Sequence, residues 1–214
     1  FDWILQTNKD FNKRSIFYFI SDSSNWRYDT GYKIDDPIIK ELIKKIKKFD
    51  NEIGLHANYD SLKKFSVSHQ FSILKNIFNE LSLMQLNWNI RTHYLKFRHP
   101  ITAREFEKAG FKSDSSLYYA DLPGFRCGTC KEFNLFDTQE NKVMTLREKP
   151  LIFMDVNPYS GDNLKWDNQN EFYNCANILK RKCQEVGGEF TFLWHNCQLF
   201  NEEKKNMYIR IIGD

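Results

Sequence analysis

Three histidines in this sequence follow short apolar runs: His56 after Glu52-Ile53-Gly54-Leu55, His93 after Trp88-Asn89-Ile90-Arg91-Thr92, and His195 after Phe190-Thr191-Phe192-Leu193-Trp194. A neutral imidazole can ligate a metal ion or transfer a proton near pH 7, so its recurrence at equivalent places points to metal-assisted or acid–base chemistry. Asp22 and Asp155 close two further runs and add carboxylates to the same set. One strand-end histidine is more often a hydrogen-bonded structural residue; three of them make a site the better expectation.

The runs that carry these residues read as strands separated by helices. Ser15–Ile20 is β-rich and ends in the polar cluster Ser21-Asp22-Ser23-Ser24-Asn25. A helix opens near Asp35-Asp36-Pro37, with Asp as N-cap and Pro in the first turn, and places Ile38, Ile39, Leu42, Ile43 and Ile46 at spacings of three and four. Strands follow at Glu52–His56, Trp88–His93, Leu151–Asp155 and Glu189–His195, with a β segment from Phe111 to Ser115. Helices are expected over Ser68–Leu86, Ile101–Ala109 (stopped by Gly110) and Gln169–Val186 (stopped by Gly187-Gly188). Met207–Ile212 reads as a last strand. Repeated β-then-α units predict an α/β fold with a parallel sheet, and the polar residues fall at strand C-terminal ends, where α/β barrels assemble their sites.

Bulk properties narrow the function classes. With 214 residues and 41% hydrophobic content, the chain has enough apolar material for a single domain over residues 1–214. The net charge is only +3, and the basic residues form no stripe with interleaved aromatics, so no nucleic-acid partner is expected. No apolar run reaches the roughly 18 residues of a membrane span. Cys127, Cys130, Cys175, Cys183 and Cys197 are few, odd in number and scattered, which reads as a reducing compartment; the cytoplasm is expected, with the periplasm open. Cys127-Gly128-Thr129-Cys130 is a lone C-x-x-C without a partner pair. The sequence opens at Phe1, without Met, inside a helix-like stretch, and is read as N-terminally truncated.

Several segments together resemble a known family. Glu52-Ile53-Gly54-Leu55-His56-Ala57-Asn58-Tyr59-Asp60-Ser61 is similar to the histidine box of polysaccharide deacetylases (carbohydrate esterase family 4). Arg91-Thr92-His93-Tyr94 resembles that family's groove-lining Arg motif, and Leu193-Trp194-His195 its final L-x-H motif. With Pro123-Gly124-Phe125-Arg126-Cys127-Gly128-Thr129-Cys130, the likeness is closer to a bacterial subgroup associated with capsule and O-antigen genes.

The resemblance implies a distorted, incomplete (β/α) barrel and metal-dependent hydrolysis of the N-acetyl amide of a surface-polysaccharide sugar. It implies a divalent metal, Zn²⁺ first, with His56 as a ligand, Asp60 where the family has a second histidine, and His93 as a substitute nitrogen donor. Arg91 would orient the catalytic carboxylate and His195 would act as the general acid. Tyr94, Arg126, Leu193 and Trp194 would contact the carbohydrate. Trp26, Tyr28, Tyr32, Tyr118 and Tyr119 add aromatic rings near the strand ends, Tyr32 being the better candidate for sugar stacking. Asp60 is equally readable as a cap of the following helix.

One departure bears on activity: the family's first motif, an Asp-bearing strand end, is not found in this sequence, and Asp22 follows what corresponds to the second strand. The 214 residues by themselves are therefore expected to hydrolyse little or nothing. The alternative is a deacetylase-like module that binds or assembles glycans without catalysis.

Overall fold

The strands form a six-stranded sheet and a separate two-stranded one, each belonging to one of two compact units. The computed structural model describes residues 1–23, 25, 27–29, 31–62, 66–156 and 169–213. One unit comprises Arg14–Ser116 and Phe133–Glu148; the other comprises Phe1–Lys13, Leu117–Glu132 and Lys149–Asp214.

In the first unit, β1 (Ile16–Phe19), β2 (Glu52–Ala57), β3 (Asn89–Thr92) and β4 (Ser113–Asp114) are parallel neighbours. β6 (Lys142–Glu148) extends the sheet parallel to β4, and β5 (Phe133–Asp137) closes its edge as the antiparallel arm of a hairpin. Ile53, Leu55, Ile90 and Leu146 are fully buried, as expected of strands covered by helices. The hairpin has no counterpart among the expected elements. Leu135 and Asp137 on one arm, and Met144, Leu146 and Glu148 on the other, are buried at period two. The charged Asp137 and Glu148 occupy inward positions and obscure that alternation. Asp137 is matched there by a two-point contact from Arg104, with Nη2 donating to Oδ1 at 2.7 Å.

The helices start and stop where local chemistry dictates. Asp36 caps α2 (Pro37–Lys48) by accepting the Ile38 amide at 2.8 Å, and Lys45, Lys47 and Lys48 sit at the negative end of its dipole. α3 (Val67–Glu80) is capped by Ser66, which accepts the His69 amide, so Asp60 is not its cap. The helix ends before Leu86: Ser82 adopts φ 52° and the Leu83 amide returns to the Phe78 carbonyl at 2.9 Å, a left-handed stop that needs no glycine. α4 (Ile101–Ala109) stops at Gly110, whose φ is 96°.

Gly54 is required by close approach. It pairs with Tyr18 across β1 and β2, and a Cβ at this position would stand 2.6 Å from two atoms of the Tyr18 ring. Gly54→Ala is expected to destabilise the fold by about 1–3 kcal/mol through overpacking. Urea unfolding of the variant against wild type checks this, and an unchanged midpoint would mean that the ring moves aside freely.

The second unit contains α1 (Asp2–Asp10), α5 (Gln169–Glu185) and α6 (Glu202–Gly213), with β7 (Phe153–Met154) and β8 (Phe192–Leu193) pairing in parallel. Phe153, Phe172, Ala176, Met207 and Ile211 form its core. The expected strand at Met207–Ile212 is corrected to helix. Asn201 Oδ1 accepts the Glu203 amide at 2.8 Å, Glu202 and Glu203 fill the first turn, and the buried residues Met207, Tyr208, Ile211 and Ile212 repeat at helical spacing. A buried bond from Tyr208 Oη to Asn8 Oδ1, 2.6 Å, ties α6 to α1.

Candidate functional site

Two clusters collect the expected site residues, one in each unit. In the first unit, β2 and β3 are in register with His56 beside Arg91, so their C-terminal ends bring His56 and His93 together with ring centroids 4.9 Å apart. His56 Nδ1 lies 2.9 Å from the Arg91 carbonyl, and His93 Nδ1 lies 3.1 Å from Asp29 Oδ1. A carbonyl can only accept, so His56 carries its proton on Nδ1 and Nε2 is its basic nitrogen. His93 paired to a carboxylate is biased the same way.

Asp29 organises this end of the sheet. Its side chain is fully buried, Oδ1 also accepts the Tyr59 amide at 2.9 Å, and Oδ2 accepts the Asn25 amide at 2.9 Å. Sequence reading missed it because nothing in its local spacing separates it from the other acids between β1 and α2. Tyr28 and Tyr59 stack at 4.1 Å, and Tyr94 stands edge-on to both. Tyr94 is exposed and, with Leu95, holds positive φ (58° and 52°), a conformation that costs a non-glycine residue about 1–2 kcal/mol. Lys96 donates to the Tyr59 carbonyl at 3.2 Å and lies over its ring.

Other expected residues take different places. Asp60 is half-buried in the turn after β2. Arg91 is buried, donating from Nε to the Ser115 carbonyl and from Nη2 to Ser115 Oγ, each at 2.9 Å, with its guanidinium 4.5 Å from the Tyr18 ring centroid. Tyr32 is held by the fold: its hydroxyl accepts the Ile20 amide at 2.8 Å, and burial pushes its phenol up to about 12. Asp22 lies 3.7 Å from His69 Nε2 on α3, and His69 and His99 are exposed. Trp26 lies outside the described residues.

The resemblance's metal centre can be tested against these donors. Ligating histidines ordinarily donate their second nitrogen to a carboxylate or backbone carbonyl, and both His56 and His93 have such a partner. The pair fits the nitrogen half of a site. Among the described residues no three His, Cys, Asp or Glu side chains group as metal ligands.

In the second unit, His195 follows β8 and meets Asp155, which follows β7. Parallel pairing of the two short strands sets them side by side. The His195 amide donates to Asp155 Oδ2 at 2.8 Å, and His195 Nδ1 lies 2.6 Å from Oδ1. The Asp155 side chain is fully buried while that of His195 is 47% exposed, so a fixed carboxylate orients a ring that solvent and ligands can reach. Oriented in this way, an imidazole can exchange a proton through Nε2 while Nδ1 stays bonded. Leu193 and Trp194 precede it, both half-buried, with Trp194 packed edge-on to Phe172 and Tyr208. Arg126 donates from Nη1 to the Tyr118 carbonyl at 2.6 Å.

The architecture defines a class: mixed α/β, with a parallel-dominated sheet carrying polar residues at its strand ends. Its particular form is polysaccharide-deacetylase-like. The chain is similar to the crystal structure of a Mycobacterium smegmatis protein provisionally named a polysaccharide deacetylase, with a TM-score of 0.66, 14% identity, and coverage of 98% of this chain and 68% of that one. No family model matches the chain, and no curated protein matches it significantly.

Proposed function

We propose that the chain belongs to a hydrolase of the polysaccharide-deacetylase type, which removes acetate from N-acetylated sugars of a bacterial surface polysaccharide, as in the capsule- and O-antigen-associated subgroup. The observation that supports this is the Asp155–His195 pair on a deacetylase-like fold. Amide hydrolysis adds water to the carbonyl carbon and breaks the C–N bond, and the departing nitrogen must gain a proton. Protonated His195 would supply it from Nε2, while Asp155 holds the ring in place through Nδ1. Leu193, Trp194, Arg126 and Tyr94 are the proposed carbohydrate contacts.

A divalent ion, zinc being the first expectation, would polarise water and the amide carbonyl when bound. His56 and His93 are the proposed nitrogen ligands, each oriented through its Nδ1 partner. A second reading, glycan binding without hydrolysis, is favoured by Asp60 standing where the resemblance expects a second histidine.

Acetate release from N-acetylglucosamine oligomers, by the protein expressed from its complete gene, decides between them. Release stimulated by Zn²⁺ or Co²⁺ is the expected result. Oligomer binding without release would establish the second reading. Metal analysis of the same protein is expected to show the bound ion lost in His56→Ala, and an unchanged content would remove His56 as a ligand.

A further inference from the structure

The second unit holds a pair of thiols that the proposed chemistry does not use. Cys130 and Cys183 are 3% and 0% exposed and share a small apolar cluster with Ile152, walled by Phe125, Leu179 and Phe190. Their side chains are hydrogen-bonded to each other. The surrounding backbone fixes both: the Gly188 amide donates to the Cys183 carbonyl at 2.8 Å, and the next amide, of Glu189, donates to the Cys130 carbonyl at 3.1 Å. Gly188 packs so closely that a Cβ there would stand 2.2 Å from Cys130 Sγ. The turn after α5 thus ties the two cysteines into one small cluster, although they lie far apart in sequence. Cys197, by contrast, is exposed and Cys175 half-buried.

We propose that Cys130 and Cys183 are a disulfide site, closing to one S–S bond when the chain folds in the presence of a low-molecular-weight disulfide. The thiolate of one cysteine attacks a sulfur of that oxidant, forming a mixed disulfide and releasing one small thiolate. The second cysteine then displaces the other small thiolate. Two protein thiols lose two protons and two electrons, and the oxidant takes up both pairs as two small thiols. The bond joins the segment before β5 to the end of α5, and closing so long a loop restricts the unfolded chain.

Burial gives the site a kinetic character. Burial and the Cys130 hydrogen bond push the Cys183 thiol well above its usual range, so the thiolate needed for attack is scarce in the folded, reduced protein. Oxidation therefore belongs to folding, when the sulfurs are still reachable. The formed bond, equally enclosed, resists reduction until the unit opens.

The test is to refold the reduced full-length protein in a glutathione redox buffer, alkylate it, and map its peptides by mass spectrometry. The expected result is one cross-linked peptide pair joining Cys130 to Cys183, a mass lower by two hydrogens, and a thermal midpoint several degrees above that of the reduced protein. Folded reduced protein given the same buffer should oxidise at least tenfold more slowly. Cys197→Ser should leave the pairing intact, and Cys183→Ser should abolish it. Both thiols alkylated after refolding, or Cys130 joined to a different cysteine, would overturn the proposal. The mapping uses wild-type protein, so it stands even if a serine variant fails to fold.

Discussion

Replacing His195 by Ala is expected to lower the rate of acetate release by about 10²- to 10⁴-fold, the usual contribution of a positioned proton donor. The expectation comes from geometry. Asp155 spends both oxygens on His195, one on the backbone amide and one on Nδ1, so the ring is held at its backbone as well as its side chain. Asp155 is a positioning residue, and Asp155→Asn should reduce the rate in the same direction by offering Nδ1 an amide in place of a carboxylate. Because the two act as a unit, the double variant should be no more than a few fold slower than His195→Ala alone. Independent, multiplying losses would mean that Asp155 acts on something other than His195. The KM should change little, since neither substitution removes a group proposed to bind the sugar.

The second large effect concerns stability, in the first unit. Asp114 on β4 and Glu148 on β6 are register partners, both almost fully buried, and their carboxyl groups hydrogen-bond to each other. Burial pushes Asp114 up to about 6, against hydrogen bonds from Ser116, Glu148 and backbone amides that favour its charged form. The groups facing it include Ser116, whose hydroxyl donates to Asp114 Oδ1 at 2.6 Å, and the buried phenol of Tyr18, which also feels the charges of Arg91, Glu148 and Glu52.

A folded pKa raised above the unfolded value of 3.8 fixes the sign. Its stabilising contribution is fully present below about pH 4 and is lost as pH rises through about 6, because folding must then hold a proton that the unfolded chain has released. Asp114→Asn keeps the shape and an acceptor for Ser116 but removes the titration. It should raise stability at about pH 8 and flatten the dependence between about pH 4 and 6. Urea titrations at several pH values measure both, and a variant destabilised at every pH would show that the carboxylate is worth more than its burial costs.

Much of the scaffold was legible in the chain because short-range rules decide it. Asp36-Pro37 announces α2, Gly110 ends α4, and Glu52–His56 and Trp88–His93 read as strands where β2 and β3 are found. The failures have physical causes. Met207–Ile212 is apolar and β-branched enough to pass for a strand, yet Asn201, six residues before the first buried position of the pattern that follows, caps a helix. The β5–β6 hairpin was hidden because Asp137 and Glu148 occupy inward positions, where Arg104 pairs with the first and the Asp114 carboxyl hydrogen-bonds to the second.

The site divides in the same way. By itself the sequence determined that His56, His93 and His195 lie at or just past strand ends, since an apolar run followed by a polar residue is a local property. Tertiary structure alone decided what each imidazole meets. Asp29 reaches His93 through a loop whose path no periodicity encodes, Asp155 is set beside His195 by the pairing of two very short strands, and Arg91 turns to Ser115 and Tyr18. Which nitrogen of a histidine holds the proton, and hence what it can do, depends on a hydrogen-bond partner tens of residues away, and only folding supplies that partner.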